Sequence, residues 1–174
     1  ADGRLYVADA SANNLMAIDV ETGEIENVAV FEGLPGIFPN PFRGDELVRD
    51  PVPTAVAFDA DGNAYVSLLT GAPFIPGTAK VLRVTADGEV SDFAVGMTML
   101  TDLKMGPDGN FYAVSFGAFT EEGPVPNSGS VVRISAEGEV EVVVEGLAFA
   151  TAIALDAEGN GYVTINGIAI PEAG

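Results

Sequence analysis

Few side chains in this 174-residue chain could do chemistry, and His and Cys are among the residue types missing altogether. Without His there is no imidazole base, no proximal haem ligand and no His-bound zinc. Without Cys there are no disulfides, thiolate nucleophiles, iron–sulfur clusters or thiolate zinc sites. What remains is mostly oxygen chemistry. Asp102 carries a carboxylate with Lys104 two residues on, a spacing that puts both on one side of a strand, where the pair can neutralise each other. Asp9 and Asn166 could add oxygens, and calcium is the ion such a set would take. One carboxylate with two helpers falls short of the six or more oxygens a hard cation wants, so no cofactor is expected. Thr54, Thr101 and Thr151 form a second set, small hydroxyls at one equivalent position of a repeat, suited to satisfying one another or channel water. The third set is apolar: Phe38, Phe42, Phe74 and Ile75 lie in proline-stiffened segments that could present them at low entropic cost to a protein partner, or fold them down over the core.

Other chemistries lack their parts. Neither lysine has a Ser-x-x-Lys setting, and the acids fall mainly on turns and outer strands rather than in pairs across a cleft. The segment DADGN opens like a calcium loop, but no Glu closes it at the twelfth position after Asp59, so it reads as a hairpin turn. Twenty-six acids against seven bases give a net charge of -19. Phosphate backbones and anionic membrane surfaces would repel such a chain, and nucleic acid is not expected as a partner. The longest uncharged apolar stretch, Gly146 to Leu155, is about half the roughly 20 residues of a membrane-spanning helix, so no membrane span is expected.

The elements that must position these residues come from a repeat. Tyr6, Tyr65, Tyr112 and Tyr162, all the tyrosines of the chain, each stand four residues after an Asp or Glu that precedes Gly. The segments are ADGRLYVADA, DADGNAYVSLL, GPDGNFYAVSF and DAEGNGYVTIN. A second frame, VLRVTADGEV and VVRISAEGEV with AIDVETGEI as a looser third, runs alongside it. Between the glycine turns lie short runs of Val, Ile, Phe and Tyr, which is strand chemistry. One unit reads as strands at 54–58, 64–69, 80–84 and 90–95, the next at 100–105, 111–116, 130–135 and 140–145, and nothing reads as a helix. Four short antiparallel strands per unit of roughly 45–50 residues predict an all-β fold, a β-propeller with strand a of each blade lining the channel and strand d outermost. About three and a quarter blades are present, over 1–31, 54–96, 100–146 and 150–170, with a long insertion at 32–53. We expect one domain, a segment of a larger ring or a protomer completed by another chain, with a protein partner or a second copy at its open blade edges. The long connections gather on the face opposite the tight turns, and binding is expected there.

The segments VPTAVAFDADGNAYVSLLTGAPFIPGTAKVLRV, TDLKMGPDGNFYAVSF, SGSVVRISAEGEVEVVVEGL and LYVADASANNLMAIDVETGEI resemble the ScyD/ScyE family of scytonemin-associated proteins. The LTG-x-PF-x-PG loop from Leu69 to Gly77 carries most of the specificity, whereas the DG turns are shared with NHL and SMP-30 propellers. The resemblance implies an exported protein, extracellular or periplasmic, and no particular reaction. The leading expectation is therefore a non-enzymatic binding or assembly module. A metal-dependent lactonase of the SMP-30 type, whose channel mouth resembles this architecture, is the alternative. A structural protomer that polymerises by sheet completion is the third.

Overall fold

The computed structural model describes residues 3–168 and is built from antiparallel sheets joined in sequence order. The first sheet has three strands, β1 (Arg4–Asp9), β2 (Asn14–Asp19) and β3 (Ile25–Val30). A separate hairpin follows, β4 (Leu34–Asn40) and β5 (Glu46–Arg49), with a three-residue 3-10 turn at Pro41–Arg43. The second sheet is β6 (Pro53–Phe58), β7 (Ala64–Leu68), β8 (Ala79–Val84) and β9 (Val90–Met97). The third is β10 (Leu100–Met105), β11 (Phe111–Ser115), β14 (Gly129–Ile134) and β15 (Val140–Leu147), with a small hairpin β12 (Phe119–Thr120) and β13 (Gly123–Pro124) in its b–c connection. Strands β16 (Ala152–Leu155) and β17 (Gly161–Thr164) form the last pair. The first strands β6, β10 and β16 lie against one another in succession, the relation of the inner strands of neighbouring propeller blades.

The tyrosine repeat has a physical cause. Asp59 begins the turn between β6 and β7, and one of its oxygens accepts from the backbone N–H of Asp61 (3.0 Å) and Asn63 (2.9 Å). Its other oxygen accepts from Asn63 Nδ2 (2.8 Å) and from the Tyr65 hydroxyl (3.1 Å). Asp156, Asn160 and Tyr162 repeat the arrangement. In the third sheet the turn starts at Gly106 instead, and Asp108 swings into the vacant place to accept from Asn110 Nδ2 (2.8 Å) and Tyr112 (3.0 Å). A Cβ on residue 106 would lie 2.6 Å from Asp108 Oδ1, so the glycine and the displaced carboxylate imply each other.

The core lies between sheets, not within them. Leu15, Phe31, Val66 and Leu68 fill the first seam, Val81, Leu100, Leu103, Phe111 and Ile134 the second, and Val114, Val131, Ala150 and Ile153 the third. Each Val, Leu, Ile or Phe among them contributes about 1.5–3 kcal/mol by burial. The outermost β15 is exposed along almost its whole length, its four valines as well as its charged residues. The long insertion at 32–53 holds elements of its own, β4, the 3-10 turn and β5, and the b–c connection of the third sheet holds β12 and β13.

Candidate functional site

The loop-rich face is built around the β4–β5 hairpin. Its chain carries Pro35, Pro39 and Pro41, and Asn40 Oδ1 accepts from Phe42 N (3.0 Å) to set the turn. Asp50 anchors the base: Oδ1 accepts from Arg43 Nε (2.7 Å) and Asn13 Nδ2 (3.2 Å). Asn13 Oδ1 in turn accepts from Val52 N (3.0 Å), tying the hairpin to the first sheet. On this braced support Phe42 is 93% exposed and Phe38 63%, with Ile37 and Leu47 also open. Arg49, by contrast, is 5% exposed, and its Nε and Nη1 have no hydrogen-bond partner. Burial lowers its pKa, and the adjacent carboxylate of Asp50 is committed to Arg43 and Asn13.

Phe74 and Ile75 behave differently from the hairpin aromatics. Phe74 packs on Phe119 with ring centroids 5.1 Å apart and joins Met99, Phe116 and Phe149 in an apolar cap on the same face. Ile75 is partly buried beside it, and its carbonyl accepts from the Thr78 hydroxyl. The four residues grouped in the sequence as one apolar set therefore divide into a closed pair and an open pair.

Two of the three threonines, Thr54 and Thr101, are stitches between sheets. Thr54 and Thr101 each sit at a β-bulge, where the register of the a–b pairing slips, and a bulge re-aims the side chain it carries. Thr54 Oγ1 reaches the Leu100 carbonyl of the next sheet (3.0 Å) as well as Ser67 Oγ (2.9 Å). Thr101 Oγ1 reaches the Ala150 carbonyl of the sheet after (3.3 Å) and the Val114 carbonyl (3.3 Å). Thr151 holds the equivalent position in the last pair, where its N–H donates to the Thr164 carbonyl (3.0 Å). Two residues before each threonine the chain takes a left-handed turn at a non-glycine residue, Val52 (φ 53), Met99 (φ 43) and Phe149 (φ 48). Such conformations are strained and persist only where their surroundings fix them. Here the carbonyls of all three accept backbone hydrogen bonds from the b–c connections.

Two of the three ion-ligand candidates, Asp102 and Asp9, have carboxylates engaged in hydrogen bonds within the protein, and the third is fixed through its backbone. Asp102 is 7% exposed; Oδ1 accepts from Lys104 Nζ (2.7 Å) and Leu103 N (2.9 Å), and Oδ2 accepts from Ile153 N of the next sheet (2.9 Å). Asp9 Oδ1 caps its own turn through Ser11 N (2.8 Å) and Ala12 N (3.1 Å). Asn166 has a left-handed backbone (φ 57) and donates its N–H to the Ala148 carbonyl (2.7 Å). Among the described residues no three acidic side chains gather closely enough to hold an ion.

With the geometry in hand, comparison places the architecture among β-propeller proteins. The virginiamycin B lyase of Staphylococcus aureus superposes with a TM-score of 0.57 at 15% identity, over 99% of this chain and 55% of that one. The PQQ-bound aldose sugar dehydrogenase of Streptomyces coelicolor gives 0.63 at 13% identity, over 92% and 52%. TolB of Acinetobacter baumannii gives 0.54 at 17%, over 98% and 35%. The chain thus spans about half the length of the lyase and the dehydrogenase it resembles. No family model and no curated protein matches it. At these identities the likeness defines the fold, and the fold serves enzymes and other proteins alike.

Proposed function

We propose that this chain is part of an exported β-propeller, extracellular or periplasmic and of the ScyD/ScyE kind, that binds a protein partner without catalysis through the β4–β5 hairpin. The exposure of Phe42 on a braced hairpin carries the reading, because a large aromatic held rigidly in water is costly unless something covers it. The acids Asp45 and Glu46 flank the aromatics, so the partner would offer an apolar slot with a basic rim. The engagement of the Asp102 and Asp9 carboxylates in structural hydrogen bonds weighs against a metal-dependent lactonase.

The test puts a photo-crosslinking residue at position 42 of the full-length protein. The expected result is a defined crosslinked protein, lost in a Phe38→Ser, Leu47→Ser variant that keeps its melting temperature. Crosslinks joining two hairpins of the same chain would favour polymerisation instead. A melting temperature raised by calcium, together with lactone hydrolysis, would overturn the reading in favour of the enzyme.

A further inference from the structure

The repeat exposes a second site, on the opposite face, by subtraction. In the seam between the second and third sheets three rings interlock: Tyr65 lies 4.6 Å from Phe93 and 4.3 Å from Phe111, centroid to centroid. Phe93 stands fourth in β9 and Phe111 first in β11, directly before the repeat tyrosine. The same two places in the seam between the first and second sheets hold Val28, fourth in β3, and Ala64, first in β7. Two aromatic rings are therefore missing from this joint, and one is added, because Phe58 ends β6 where Met105 ends β10. Where they would stand there is a cleft of about 330 Å³, lined by Tyr6, Phe58, Val28 and Ala64 among others and opening between the tight turns. That volume lies at the lower end of what small-molecule sites occupy.

The walls specify the guest. Tyr6 and Phe58 meet edge to face at 4.7 Å and form an aromatic corner. Glu26, Asp61 and Asp87 stand on the rim, and Arg4 is the sole base among the described lining residues. The Arg4 guanidinium bonds Glu26 (3.0 Å) and lies 5.6 Å from the Tyr6 ring centre, so this corner already receives a cation from the protein itself. An aromatic corner beneath a rim of net negative charge selects a positive, partly apolar group and repels anions.

We infer that the cleft between the first and second sheets binds a small organic cation, an alkyl- or aryl-ammonium, with its positive group at the acidic rim and its apolar part in the space left by the absent phenylalanines. The site is separate from the hairpin face and does not depend on what that face binds.

The experiment titrates benzyltrimethylammonium, with benzyl alcohol as the neutral control, into the 15N-labelled protein. Saturable shifts are expected at Val28, Ala64, Thr85 and Gly88, at least fivefold weaker for the neutral compound. Rebuilding the sister seam with Val28→Phe and Ala64→Phe should cut affinity at least tenfold while preserving the fold. If the double variant fails to fold, Val28→Phe alone and Asp61→Asn with Asp87→Asn take its place, each expected to weaken binding two- to fivefold. Absence of saturable shifts at these residues, equal binding of the alcohol, or undiminished binding in the filled or neutralised variants would overturn the inference.

Discussion

Removing the Asp102 carboxylate tests most directly whether that residue holds sheets together or holds an ion. The side chain is nearly inaccessible and accepts two backbone N–H groups, one from Leu103 and one from Ile153 across the seam, with Lys104 as its counter-charge. A charge-assisted hydrogen bond contributes about 1.5–3 kcal/mol, and an orphaned buried donor costs about 1–3 kcal/mol. Lys104 is half exposed, so its ion pair adds no more than about 1 kcal/mol. Asp102→Ala should therefore cost about 3–5 kcal/mol in all. In a chain of this size that is roughly 6–20 °C in melting temperature. Asp102→Asn keeps the shape and one acceptor, and should cost about 2 kcal/mol. Urea unfolding followed by far-ultraviolet circular dichroism reads both, with and without calcium. A loss under about 1 kcal/mol for Asp102→Ala, or a calcium-dependent stabilisation that vanishes in Asp102→Asn, would refute the structural assignment.

Three further outcomes follow from the same geometry. Tyr65→Phe, which strips a buried donor from Asp59, should cost about 1 kcal/mol in urea titration, whereas Tyr162→Phe, at an exposed ring, should be nearly silent. Hydrogen bonds from Asn63, Tyr65 and Asp61 outweigh the opposing effect of burial and hold Asp59 below the usual carboxylate range. The side-chain amides of Asn110 and Asn160 do most to lower Asp108 and Asp156. A lowered folded-state pKa gives stability that is complete above the ordinary Asp range and drains away as pH falls through the lowered values, so Asp59→Asn should flatten the acid limb of a stability–pH curve. Thr54→Val should cost about 1–1.5 kcal/mol and Thr101→Val about half that, because the Thr101 hydrogen bonds are longer. No measurable loss for either variant in a denaturation series would contradict the assignment of both as stitches.

Most strands of the two complete sheets were legible to within two residues because alternating β-branched residues between Asp-Gly turns leave little freedom of period or boundary. The hairpin at Leu34–Asn40 and Glu46–Arg49 was not, since Pro35 and Pro39 remove ladder donors and speak against a strand except at an unpaired edge. The Asp102–Lys104 pair followed from strand periodicity alone and stands at 2.7 Å. Its reach to Ile153 did not, because no local pattern says which backbone comes to lie across a seam. The threonine positions could be aligned, but their partners depend on bulges at Pro53/Ala55 and Leu100/Asp102 that shift pairing register without leaving a mark on the residue pattern. The closed fate of Phe74 against the open one of Phe42 likewise depends on which loop a ring meets, and Phe119 is 45 residues away in the chain.

The aromatic interlock of Tyr65, Phe93 and Phe111 and the Thr54 stitch fall on one and the same joint. Solenoid-like chains melt according to the strength of their nearest-neighbour couplings rather than as a uniform block. The two central sheets should thus behave as one cooperative unit, the last to surrender its amide protons to exchange, while the first sheet, whose seam has neither the three-ring interlock nor a threonine stitch among the described residues, opens more readily and gives the molecule one compliant shoulder.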